Sequence, residues 1–138
     1  MDSSYGTLTT DISGVMSALI DHPEHQPFRT ELITFHSIPS VKSIFHGSSK
    51  EFGDDLALSF WLRDEYEDGT YDVISYNNGS VAHYIHFSGQ YSTVPDSLLK
   101  LTVSENKKRF QGTITAIFRH EYEPYDELHI NASFDVRV

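Results

Sequence analysis

Three short segments concentrate the side chains that could do chemistry. The first is Asp21-His22-Pro23-Glu24-His25-Gln26-Pro27, with two histidines and two carboxylates among turn-forming prolines. The second runs from Arg63 to Gly69 and holds Asp64, Glu65, Tyr66, Glu67 and Asp68. The third, residues 120–127, holds His120, Glu121, Tyr122, Glu123, Pro124, Tyr125, Asp126 and Glu127.

Clustered carboxylates on a flexible loop are what calcium needs, since it takes six to eight oxygen ligands. The second and third segments would supply them if they met at one end of the fold. Neither has the spacing of an EF-hand loop. His22 and His25 could chelate zinc or nickel, but the sequence names no third ligand. His83 and His86 lie on an expected strand, where residues three apart face opposite ways. They cannot share a metal without a bulge. The plain reading is one inward histidine with a hydrogen-bond partner and one on the surface.

Catalytic signatures are missing. The chain has no G-x-S-x-G, H-E-x-x-H, P-loop or G-x-G-x-x-G pattern. Any triad or carboxylate pair would be an arbitrary choice among many serines, histidines and acids. Zero cysteines removes disulfides, thiolate metal sites and a cysteine nucleophile. Trp61, Tyr66, Tyr71, Tyr76, Tyr84, Tyr91, Tyr122 and Tyr125 could form a platform for a sugar or peptide. Most of them fall on expected strands and would simply cover a sheet. Tyr66, Tyr122 and Tyr125 stand apart on the acidic loops.

The charge narrows the partners. Ten Lys and Arg against twenty Asp and Glu leave a net charge of -10. That balance argues against nucleic acid and against anionic membranes. It suits a basic protein, a divalent cation or an uncharged ligand. The first residues show no basic-then-apolar signal pattern, so a cytoplasmic protein is expected. Asn78-Gly79-Ser80 and Asn131-Ala132-Ser133 are glycosylation sequons, relevant only to a secretory route.

Such side chains need a scaffold, and the scaffold reads as strands. The 138 residues suit one domain, expected over 6–138 behind a flexible 1–5. Aromatic residues reach 13%, a composition that suits pleated surfaces. Alternation is clearest at the end, where Leu128, Ile130, Ala132, Phe134, Val136 and Val138 share one face. Phe110, Gly112, Ile114, Ala116 and Phe118 form a second row, with Ile117 interrupting the polar side. Leu99, Leu101 and Val103 form a third, joined to the second by a turn at 104–108.

Further strands are expected at 7–12, 15–20, 30–38, 41–46, 56–62, 70–76 and 81–88. Short helices are the competing reading at 15–20 and 96–101. Asn77-Asn78-Gly79-Ser80 predicts a hairpin between the last two strands, and Ser13-Gly14 predicts a tight turn. Leu56–Leu62 is apolar on both faces, which predicts a central strand. The sum is an all-β antiparallel sandwich or flattened barrel of about nine to ten strands.

Gly69-Thr70-Tyr71, Leu101-Thr102-Val103, Phe110-Gln111-Gly112-Thr113-Ile114 and Phe134-Asp135-Val136 follow in that order. With Gly6-Thr7-Leu8-Thr9 and Ile12-Ser13-Gly14, this series resembles small bacterial lipocalin-like β-barrel or sandwich domains. Many of those carry an export signal and lipobox cysteine, patterns the first residues here do not show. The resemblance implies the β fold and no activity.

The functional expectation is a non-enzymatic interaction protein. It would bind a basic protein partner through Asp64, Glu65, Tyr66, Glu67, Asp68, Glu121, Tyr122, Glu123, Tyr125 and Asp126. No cofactor is expected. The alternative is a carbohydrate or small-ligand module, with calcium as its helper. A hydrolase is the third reading.

Overall fold

The computed structural model describes residues 7–9, 12–75, 79–87 and 89–138. The expected flexible 1–5 and the Asn77-Asn78 pair of the expected hairpin lie outside them. The described residues form strands and no helix. In chain order they are β1 (Thr7–Thr9), β2 (Ser13–Ile20), β3 (Phe28–Thr30), β4 (Ile33–Ile38), β5 (Val41–Ser49) and β6 (Gly53–Leu62). There follow β7 (Gly69–Ile74), β8 (Ala82–His86), β9 (Gly89–Thr93), β10 (Leu98–Ser104), β11 (Arg109–His120) and β12 (Glu127–Arg137). Every pairing is antiparallel.

The strands follow one another in the order β1-β4-β5-β6-β8-β9-β11-β12-β2-β3, with β10 on β11 and β7 on β10. The sheet is nearly closed. Only Glu31 and Leu32 separate β3, at one end of that order, from β4 near the other. Ser48 N–H donates to Leu32 O at 3.0 Å, and the Thr30 hydroxyl donates to Ser48 O at 2.6 Å. These bonds stitch the seam and satisfy backbone groups that an open edge would leave bare.

The sheet forks along β11. Its first half pairs with β10, and Phe118–His120 pair with β9. Where two strands part from a third, backbone donors lose their ladder partners. Buried hydroxyls replace them here. Val81 N–H donates to Ser75 Oγ at 2.9 Å, and Ser75 Oγ meets Thr93 Oγ1 at 2.8 Å.

The core follows the two-residue rhythm. Leu128, Ile130, Ala132, Phe134 and Val136 are all buried, as are Leu99, Leu101, Val103, Ile114 and Phe118. Phe134 lies at the centre, 4.4 Å from the Phe60 ring and 5.5 Å from Phe45, centroid to centroid. Burying a ring of this kind stabilises the fold by about 1.5–3 kcal/mol.

Several local expectations are corrected. The strand expected at 15–20 forms within β2, and at 96–101 the chain turns and enters β10 at Leu98, so the competing short helices do not form. Ser13-Gly14 is no turn but the start of β2, with Gly14 opposite Val136. The expected hairpin of the strands at 70–76 and 81–88 does not form. β7 pairs with β10, setting Tyr71 and Val73 beside Leu101 and Leu99, while β8 lies between β6 and β9. The expected 30–38 strand is interrupted at Glu31-Leu32. β9 is a strand that alternation missed, because Gly89, Gln90, Ser92 and Thr93 offer no apolar rhythm.

Candidate functional site

The outward face of β4, β5, β6, β8 and β9 is where unlike side chains converge. Register builds it in three rungs. Opposed pairing aligns His36, Ile44 and Trp61 across β4, β5 and β6. The next rung aligns His46, Ser59, His83 and Ser92 across β5, β6, β8 and β9. The third aligns Ala57, Ile85 and Gln90. Strand neighbours across one rung lie about 5 Å apart, so the rungs make a continuous surface. That surface is concave, with an open cavity of about 800 Å³ whose lining also includes Ile38, Asp54, Arg63 and Ser80. Small-ligand sites fall in this size range.

The polar groups of the groove are held by one another. Trp61 Nε1–H donates to Ser59 Oγ at 3.2 Å. The indole ring meets the His83 ring edge-on at 5.1 Å, and the Arg63 guanidinium lies 5.8 Å over the indole. His46 Nε2 meets Asp54 Oδ1 at 2.8 Å at the groove's far side. His83 Nδ1 is 2.8 Å from Ser92 Oγ and 3.3 Å from Gln90 Nε2. An amide nitrogen only donates, so Nδ1 accepts and the neutral ring carries its proton on Nε2. Nε2 has no hydrogen-bond partner among the described residues and is available to a ligand.

Burial lowers the His83 pKa to about 4, with the nearby Arg63 charge acting in the same direction. The ring is therefore neutral at pH 7. Burial, and then His46, also hold His36 below its ordinary range. Asp54 is held low chiefly by its hydrogen bond from His46.

Arg63 is the exception among the arginines. The chain has five arginines. Arg29, Arg109, Arg119 and Arg137 each pair with a carboxylate. Arg63 forms no ion pair among the described residues, in a protein with twice as many acids as bases.

A second cluster lies at one end of the fold. The His25 ring is 4.2 Å from that of His86, and His25 Nδ1 is 3.1 Å from the Tyr84 hydroxyl. Tyr91 and His120 extend it at 5.0 Å. Burial, then His86 and His22, lower the His25 pKa, with Glu24 opposing. Burial and then Tyr91 push Tyr84 up to about 12. Burial favours the neutral form of His25, His86 and Tyr84, whose rings pack together. Among the described residues no group of three or more His, Asp or Glu is arranged to hold a metal ion. His83 and His86 face opposite ways, as alternation requires. The one with side-chain hydrogen bonds is the outward His83, because the outer face is itself a lined groove.

The acidic loops do not form one site. Asp68 accepts the backbone N–H groups of Asn106 and Lys107 at 3.0 and 2.8 Å, beside the start of β11. Residues 121–127 lie past its end. Between them runs β11, about 35 Å of extended chain at roughly 3.3 Å per residue. Asp68 is occupied within the fold: Glu105, Asn106 and Lys107 all have left-handed φ, of 58, 59 and 64°. The backbone N–H groups of Asn106 and Lys107 make a concave nest for its carboxylate. Glu67 pairs with Lys107 at 3.5 Å. Tyr66 does not stand apart from a strand. It packs on Tyr71 of β7 at 4.7 Å and against the core. Asp64 and Glu65 complete that loop. At the other end Glu121, Glu123 and Asp126 flank Tyr122 and Tyr125, which are 67% and 51% exposed.

Sequence reasoning missed the groove. Its signal was present in Leu56–Leu62, where apolar residues on both phases mean that the outward phase is also covered. Ala57 and Ser59 are indeed 0% and 4% exposed. The chain matches no protein-family model, and neither curated proteins nor solved structures yield a match to it.

Proposed function

We propose that the chain is a small-ligand binding module and that its ligand lies in the outer groove. One observation carries this reading. The lone tryptophan, a guanidinium with no ion pair among the described residues and a neutral imidazole whose Nε2 has no hydrogen-bond partner among them converge on a floor that includes Ile44 and Ile85. A few placed polar groups on an apolar concave floor are the usual make-up of a small-molecule site. The side chains are braced by each other, so little rotamer freedom is lost when a ligand arrives.

A fragment library screened by amide chemical-shift mapping tests the reading. Binders should move the amides of Ile44, His46, Ser59, Trp61, His83 and Gln90 together. Binders that map to other faces, or none at millimolar concentration, would overturn it.

A second reading has one observation in its favour. The exposed Tyr122 and Tyr125, ringed by acids, suit a basic protein partner that desolvates the rings inside a charged rim. A short polylysine peptide in the same mapping experiment tests it. Shifts confined to 121–127 would support that surface, and none would dismiss it.

A further inference from the structure

We infer that the ligand of the groove is a small monoanion bearing one carboxylate on a compact apolar body. This rests on the groove being the binding site and specifies what it takes. Arg63 is the groove's one permanent cation, and the other arginines are each matched to an acid. A guanidinium presents a planar fork that fits a carboxylate through two parallel hydrogen bonds. Its pose over the Trp61 ring already limits its freedom, so less is lost on binding.

The count of charges sets the valence. His46 lies against Asp54, and His83 is neutral near pH 7. Among the described lining residues Arg63 is the one fixed cation and Asp54, at the far side, the one carboxylate, and a molecule of net charge -10 would repel a dianion more strongly than a monoanion. The proton on His83 Nε2 adds a neutral donor beside the cation. Ile44 and Ile85 offer the apolar contact for the rest of the ligand.

Matched probe pairs test the inference. Benzoate against benzamide, and indole-3-acetate against indole-3-acetamide, differ in charge and hardly in shape. The carboxylate of each pair should bind the unaltered protein on the order of tenfold tighter or more. Added salt should weaken the carboxylate and leave the amide nearly unchanged. R63Q should bring the two members of each pair to similar affinity, and R63K should restore only part of the gap. Arg63 also covers Trp61, so R63Q could disturb the floor. The comparison within each pair on the unaltered protein does not depend on that variant. Amides that bind the groove as tightly as carboxylates would overturn the monoanion and leave the groove reading intact. Probes that bind elsewhere, or not at all, would overturn both.

Discussion

Replacing Gly14 by alanine is expected to destabilise the protein by about 2–6 kcal/mol, the sum of a strained backbone and an overpacked contact. The residue sits within β2 at φ +149°, a conformation open to glycine and costly to any residue with a Cβ. A Cβ there would fall 2.2 Å from Asp135 O and 2.7 Å from Val136 Cα. Both are backbone atoms, so no rotamer change relieves the clash. Strand β12 cannot draw back. It is paired along its length with β11 and also with β2. Arg109 grips Asp135 from the next strand with bonds of 3.1 and 2.8 Å. Urea unfolding measures the effect as a lower midpoint at unchanged slope. A midpoint equal to that of the parent would contradict the close approach of the two strands.

The second large effect is acid sensitivity. Folded His83 takes up its proton near pH 4, against 6.5 in an unfolded chain. Above pH 6.5 both states hold a neutral ring, and this contribution is fully present. Between 6.5 and 4 the unfolded chain gains a proton that the folded one excludes. Stability therefore falls as pH falls, by about 3 kcal/mol across that window from this one group. Burial shifts His25, His36 and His86 in the same direction. Asp54 and Asp135, held low by partners, lose their contribution only at more acid pH.

His83→Gln should flatten the profile, losing about 2–3 kcal/mol less than the parent between pH 7 and pH 4. Denaturant unfolding at several pH values measures this. Titrating the ring by NMR in the parent gives the same information without a variant. Profiles of equal slope, or protonation of His83 near pH 6.5, would contradict the buried neutral ring beside Arg63.

Most of the fold was legible because one-sided burial enforces alternation. Leu128 to Val136 read as a half-buried strand and is one, and the 104–108 turn joins β10 to β11 as its spacing required. Pairing was less legible. Asn77-Asn78-Gly79 is a local turn signal, yet β7 gains more from a distant partner whose Leu99 and Leu101 match its own apolar row. A local motif says nothing about such a competitor. β9 escaped notice because its inward residues are Tyr91 and Thr93, and Thr93 is used for its hydroxyl.

The groove was the least legible part. His36 and Gln90 are far apart in the chain, and the rungs between them exist only through register across five strands. Counting acids instead drew attention to the loops. There Asp68 spends its carboxylate on the backbone of Asn106 and Lys107, and β11 keeps the two clusters apart.

A small ligand seated in the groove around Trp61 would lie against the indole. Because Trp61 is the only tryptophan, its emission reports on that place and no other. A saturable change in indole emission is expected as a benzoate-class probe is titrated, with the same midpoint as binding heat measured by calorimetry. Saturable heat with an unchanged indole signal would contradict it, because the ligand would then be seated away from the groove.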